Sequence, residues 1–224
     1  ISEQELLCVY RRGSAFSSVD GLLGKLRSTD SGKTWVEEGL VWDGSGDDRR
    51  YCYRTGPLTK LTDGALLIAS CRFDRTDPNK PLYNAATEGY LPVDAAILRS
   101  SDKGHHWSAP QSVTLPEGEI GNPTGPVIEV SEGRLLLPFE TWKAYDDPHP
   151  ARQRTLTLFS SDGGKTWPQL RAVADGSAEG TVYWDASIIK LEDARLFALL
   201  WTRNLKSDQD LPIHRTISED GGNT

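Results

Sequence analysis

Methionine is absent from the 224 residues, cysteine occurs three times and histidine four. Cys8, Cys52 and Cys71 form no C-x-x-C pair. His105, His106, His149 and His214 show no H-x-x-x-H spacing, so the patterns that mark zinc sites are missing and no metal or other cofactor is expected. Three cysteines leave one disulfide open. Cys8 and Cys71 fall in apolar strand-like runs and read as small core residues. No apolar run reaches membrane-spanning length; the longest, LFALLW at 196–201, is strand-sized, so no membrane span is expected. Helix signals are few, and Asp146-Asp147-Pro148-His149-Pro150 and Thr76-Asp77-Pro78-Asn79 read as loop tips. A net charge of −7 argues against nucleic acid, whose partners carry a basic stripe. It leaves a small anionic ligand open, because such a ligand responds to local charge. With no methionine, an opening inside a strand pattern and a stop inside a repeat, the chain reads as a piece of a longer polypeptide. The lack of a leader is then silent on compartment.

What the chain does have is repetition. STDSGKTW at 28–35, SSDKGHHW at 100–107, SSDGGKTW at 160–167 and SEDGGNT at 218–224 follow one rule, Ser-x-Asp-x-Gly-x-Thr-Trp. Their aspartates, Asp30, Asp102, Asp162 and Asp220, are spaced by 72, 60 and 58 residues. Asp and Ser side chains bind nearby backbone amides and Gly accepts positive φ, so the motif pins a hairpin, with Trp as an apolar plug. These aspartates are therefore expected to be structural. His106 stands where the other copies have Thr and reads as turn variation.

Other elements recur around each turn. Apolar strands introduced by a turn read DGALLIAS at 63–70, EGRLLLPF at 132–139 and DARLFALL at 193–200, with QELLCVYR at 4–11 lacking the turn. Ahead of three of them lie RTGPLTKL at 54–61, NPTGPVIEV at 122–130 and WDASIIKL at 184–191. Before each aspartate turn comes another: LLGKLRS at 22–28, DAAILRS at 94–100, RTLTLFS at 154–160 and HRTIS at 214–218. Four short strands per unit predict an all-β chain of small sheets arrayed around an axis, a β-propeller. The blades run approximately 1–45, 50–115, 120–175 and 180–224. The first strands of the blades converge on the axis, so Arg54, Thr55, Asn122, Thr124, Trp184 and Asp185 are expected to face one pocket.

This pattern resembles the Asp-box, or bacterial neuraminidase repeat, proteins, whose best-known members are six-bladed sialidases. The resemblance covers essentially the whole chain; its turn motif is specific for architecture, and non-enzymatic propellers carry it too. Tyr53-Arg54-Thr55-Gly56-Pro57-Leu58, with Gly64 beyond, is similar to the family's Tyr-Arg-Ile-Pro segment, although Ile-Pro has become Thr-Gly. Asp185 stands six residues before Leu191 of Leu191-Glu192-Asp193-Ala194-Arg195-Leu196, where the family places the acid that activates a tyrosine nucleophile, usually Glu. Arg215 ahead of Ser218, and Arg203, resemble further family arginines. The resemblance implies an exo-acting glycoside hydrolase that takes terminal sialic acid or a related acidic sugar from a glycan or glycoconjugate. It implies Arg54, Arg215 and Arg203 on the substrate carboxylate and Asp185 as a catalytic group. The general acid is expected at Glu88, a dozen residues before Ser100, or at Asp77, with Asp94 and Asp74 as other choices. The family's tyrosine and third arginine come from later blades, so this chain alone is expected to show no turnover. A secreted or periplasmic setting rests on the resemblance alone.

Each candidate has a plainer reading. Arg54 could pair Asp47 or Asp48, Asp185 could cap a turn, and Arg215 and Arg203 could cover apolar surface. The loops 72–94 and 142–154 are long for hairpin connections and so are candidate binding elements. Trp142 there, and Trp184, could stack on a sugar; Trp142 and Tyr145 could equally pack their loop. The alternative function is a non-catalytic Asp-box propeller that binds carbohydrate or protein. A polysaccharide lyase would need a base beside the arginines, for which His214 is the candidate.

Overall fold

The computed structural model describes residues 1–16, 18–46, 50–115, 119–150 and 152–223, so the alternative pairing of Arg54 with Asp47 or Asp48 lies outside the described residues. The described chain is built from strands. In sheet 1, β1 (Leu6–Arg12), β2 (Leu22–Ser28) and β3 (Val36–Leu40) run antiparallel in that order. In sheet 2, β4 (Tyr51–Tyr53) and β5 (Leu58–Lys60) both pair with β6 (Leu66–Asp74), followed outward by β9 (Val93–Ser100) and β10 (Gln111–Ser112). A hairpin of β7 (Tyr83–Asn84) and β8 (Gly89–Tyr90) rises from the β6–β9 connection. Sheet 3 repeats the plan: β11 (Ile120–Pro123) and β12 (Ile128–Ser131) on β13 (Arg134–Trp142), then β14 (Thr155–Ser160) and β15 (Gln169–Ala174). Sheet 4 has β16 (Thr181–Lys190), β17 (Leu196–Asn204), and β18 (Gln209–Asp210) and β19 (His214–Ser218) along the far side of β17.

The sheets stack face to face in chain order, because side chains alternate sides along each strand. Leu67, Ala69 and Ile97 of sheet 2 meet Leu135, Leu137 and Leu158 of sheet 3. Ile68 and Leu98, on the opposite face of sheet 2, meet Leu23 of sheet 1. Leu136 and Phe159 pack on Ile188, Leu196 and Ala198 of sheet 4. Strand β6 is therefore buried on both faces, which is why LLIASC reads as an unbroken apolar run. Strand β17 is apolar on both sides but buried on one, leaving Leu199 and Trp201 exposed.

The Asp boxes hold neighbouring sheets together. In the first, Asp30 accepts the Thr34 amide (2.8 Å) and hydroxyl (2.6 Å), and Ser28 Oγ accepts the Gly32 amide at 2.8 Å. The second box keeps this geometry without threonine: His106 Nδ1 meets Asp102 at 2.6 Å, in the place of the hydroxyl. The box glycine, Gly164 for instance, has φ +86° and lies between Leu135 of its own sheet and Leu67 of the sheet before. Cations on the earlier sheet donate to the turn carbonyls of the next: Lys25 to Gly104 and His105, and Arg99 to Gly163. Of the cysteines, Cys52 and Cys71 are buried and all three are free; Cys8 is exposed, contrary to the core placement its strand suggested, because no sheet covers its face of β1.

Candidate functional site

In sheets 2 and 3 the first strand is interrupted at the same sequence, Thr-Gly-Pro. Residues 54–57 part β4 from β5, and residues 124–127 part β11 from β12. Proline brings no amide to the ladder, so pairing lapses there. In sheet 4 the equivalent place is a bulge between Trp184 and Ser187, where Asp185 takes a φ of 46°. Three sheets thus loosen their first strands at corresponding points, and the residues there meet across the sheet boundaries.

Arg54 follows β4, its amide bonded to the Cys71 carbonyl at 3.1 Å. Its guanidinium carbon lies 5.1 Å from the centroid of Phe16 and 5.4 Å from that of Trp142. Phe16 is brought there by Arg11, whose guanidinium bonds the Tyr53, Ala15 and Ser18 carbonyls. Among the described residues Arg54 has no ion-pair partner. Trp142 itself stacks on Tyr90 (4.3 Å) and Phe73 (5.8 Å), so it packs its own loop as well as facing Arg54.

Glu140, two residues before Trp142, is a functional candidate that the sequence reading missed. It is 4% exposed. One carboxylate oxygen accepts the Trp142 indole at 2.6 Å, and the other accepts the Asp185 amide at 2.7 Å. Asn122 lies opposite Glu140 in the ladder and bonds it through its side chain. Burial raises the Glu140 carboxyl above its ordinary range against the pull of these donors, and the Asp185 charge adds to the rise. Gly121 makes the close approach of β11 possible: a Cβ there would stand 1.9 Å from the Glu140 carbonyl oxygen. The signal available in sequence was an acidic residue inside the apolar run LLLPFETW, since carboxylates are seldom buried unless partnered. Asn122 Oδ1 and Thr124 Oγ1 are buried with no hydrogen-bond partner among the described residues. Such atoms usually await water or a ligand.

The contacts therefore run Phe16, Arg54, Trp142, Glu140, Asp185 across four sheets. The other predicted residues stand apart. Asp77 is exposed and accepts the Asn79 amide at 3.0 Å within its own loop. Glu88 is exposed at the β7–β8 turn with φ 60°. No hydrogen bond or ion pair among the described residues joins either to Arg54 or Asp185. Asp74 caps the Thr76 amide at 2.9 Å, and Asp94 pairs with Arg72 at 2.8 Å. Arg203 pairs with Asp208 (2.6 Å) and Asp210 (3.1 Å). Arg215 is exposed on β19 opposite Leu199, which in turn lies opposite Ser187 of β16. Trp184 faces Trp201 with centroids 6.5 Å apart. His214 Nδ1 lies 3.4 Å from the Tyr183 hydroxyl. Burial pushes the Cys71 thiol, beneath Arg54, up to about 12, so it stays protonated.

Among the described residues no group of three or more His, Cys, Asp or Glu side chains could hold a metal ion. Among the same residues no helix is long and apolar enough to cross a membrane.

Residues 83–224 match the family described as BNR repeat-like domain. No curated protein matches the chain. Solved structures do. A protein of unknown function from Dyadobacter fermentans shares 25% identity and a TM-score of 0.73, covering 98% of this chain and 63% of its own. An alpha-L-arabinanase from Penicillium chrysogenum, complexed with arabinobiose, shares 19% with a TM-score of 0.68, covering 98% of this chain and 60% of its own. A Hadza microbial sialidase shares 18% with a TM-score of 0.72, covering 99% of this chain and 43% of its own. The chain thus spans less than two thirds of each of these structures. The all-β fold is a β-propeller of the sialidase and arabinanase type.

Proposed function

The chain belongs to the BNR repeat-like domain family, and from that premise we propose that it supplies part of the site of an exo-acting glycoside hydrolase. The substrate is a glycan ending in sialic acid or a related acidic sugar. The observation that carries this reading is Arg54, a guanidinium between two aromatic rings with no carboxylate of its own among the described residues. A planar guanidinium grips a carboxylate through two parallel hydrogen bonds, and its contacts with aromatic rings use none of those donors. The sialidase among the similar structures supports the class; the arabinanase supports glycoside hydrolysis without the acidic sugar.

Asp185 is the proton acceptor in this reading. Its amide is held by Glu140, and its carboxylate takes the proton of a phenolic nucleophile so that the phenolate can trap the sugar. A carboxylic acid on the 75–90 segment, Asp77 or Glu88, gives its proton to the leaving oxygen. Arg215 stands two strands out from Asp185 on β19 and Arg203 is already engaged by two aspartates, so the carboxylate contact in this reading rests on Arg54. The nucleophile comes from outside this chain, so the chain binds without turnover.

A second reading, a carbohydrate-binding propeller with no chemistry, is favoured by the separation of Asp77 and Glu88 from Arg54. One titration distinguishes the two. A site built for hydrolysis holds a planar, oxocarbenium-like analogue more tightly than the ground-state sugar. The dehydrated sialic acid analogue (2-deoxy-2,3-dehydro-N-acetylneuraminate) is expected to bind at least about tenfold more tightly than N-acetylneuraminate, and Arg54→Gln to cost about 1.4 kcal/mol or more. Equal affinity for both favours the module. Binding of arabinobiose with neither acid bound sinks the acidic-sugar reading.

A further inference from the structure

A cleft of about 530 Å³ opens beside Trp142, bounded by residues of the loop after β13 and by Asp175 and Ser177 of the β15–β16 connection. Its cations differ in how they are engaged. Arg154 is committed to Glu119 and lies 3.7 Å from Asp175. His149 is held by Asp147 Oδ1 at 2.7 Å, and the same carboxylate lies within electrostatic reach of Lys143. Lys143 lines the same cleft and is only 9% exposed, yet no hydrogen bond or ion pair reaches its ammonium among the described residues. Arg152, at the rim, likewise has no ion pair among them.

A lysine this buried normally has its ammonium hydrogen-bonded or in contact with a carboxylate, whereas the nearby Asp147 carboxylate bonds His149 instead. Here the lysine's position is fixed by backbone contacts. The Lys143 carbonyl accepts the Tyr90 amide at 2.9 Å, and the next residue bridges Tyr90. On its other side the chain runs directly into Trp142 and its stack. The charge is thus held against a polar cleft that shares one wall with Arg54.

We propose that this cleft is a second anion subsite, taking the carboxylate of a further acidic sugar unit beside the one held at Arg54, with Lys143 as its counter-charge and Arg152 at its mouth. The proposal rests on the glycan reading above and narrows it: the ligand is an oligosaccharide with acid groups on neighbouring units, such as a uronate-containing chain.

The test uses the full 224-residue chain, with methyl glucuronide as probe and methyl glucoside as its neutral control. Binding is followed by the indole resonance of Trp142 and by calorimetry. Glucuronide is expected to bind and to persist in Arg54→Gln, because the cleft remains. Lys143→Gln added to that variant is expected to weaken it tenfold or more, and glucoside to bind to neither. Lys143→Met guards against misfolding: it removes a buried charge that makes no hydrogen bond, so its melting temperature should match or exceed the parent's while glucuronide no longer raises it. Loss of all glucuronide binding in Arg54→Gln overturns the subsite but not the Arg54 site. An unchanged isotherm in Lys143→Gln, or equal binding of the glucoside, also overturns it. The Arg54 reading fails separately, when the dehydrated sialic acid analogue ignores Arg54→Gln.

Discussion

The backbone amide of Asp185 donates to the buried carboxylate of Glu140 across 2.7 Å, tying the bulged first strand of sheet 4 to the second strand of sheet 3. Through its other oxygen Glu140 holds Trp142, and through Trp142 it reaches Arg54. The acid thus ties the bulge that carries Asp185 to the ring that lies beside Arg54.

Glu140→Ala should leave two donors without acceptors, at about 1–3 kcal/mol for each. The pH dependence separates this from simple packing loss. Since the folded carboxyl titrates above its unfolded value, its contribution is fully present below about pH 4.3 and is lost as pH rises through the folded value. Chemical denaturation from pH 4 to 8 should show this decline in the parent and lack it in Glu140→Gln. Parallel curves for the two chains would mean that Glu140 titrates normally.

The Asp boxes carry the opposite slope. Hydrogen bonds from Thr34 hold Asp30 down to about 2, those from His106 hold Asp102 low, and those from Thr166 hold Asp162 low. Lowered carboxylates contribute stability above about pH 3.9 that is lost as pH falls through the folded values. Circular dichroism should follow acid unfolding below about pH 4, beginning at higher pH in Asp30→Asn. His106→Thr should leave that curve in place, since threonine supplies the same contact in two other boxes.

Gly164→Ala should cost about 1–3 kcal/mol, because φ +86° strains any other residue and the added carbon meets Leu135 at 3.3 Å. Gly133, with φ +71° and nothing within 4 Å, serves as the control; alanine there carries the backbone strain without the contact and should cost about 1–2 kcal/mol, less than Gly164→Ala. Equal melting temperatures for the two variants would show that the box glycine is not wedged between sheets.

Sheet 4 presents Ile189, Leu199, Trp201 and Ile217 to solvent, each more than 40% exposed. A contiguous apolar face of this kind favours association. Static light scattering of the 224-residue chain should rise with concentration, and Leu199→Thr with Ile217→Thr should suppress the rise. Scattering that does not change with the double substitution would place the association elsewhere.

Much of the architecture was legible because it is local. Ser28 to Trp35 closes its own turn, and three further copies announce the repeat without any tertiary information. Arg54 and Asp185 were legible as candidates from their places in a repeated pattern, and Trp142 as an aromatic residue in a long loop. What separated Arg54 from Arg203 was not. Both are arginines near strand ends, yet one meets aromatic rings from two other sheets and the other meets Asp208 and Asp210 a few residues along.

Alternation of apolar and turn residues thus determined, from the sequence by itself, that this chain makes small antiparallel sheets, since strand and hairpin depend on neighbours in the chain. Only the tertiary structure decided that Glu140 lies inward against Asp185, that Phe16 reaches Arg54, and that Lys143 is buried with no hydrogen bond to its ammonium among the described residues. Those relations join residues 38 and 45 positions apart, or concern a cleft beside sheet 3, and are set by how whole sheets pack.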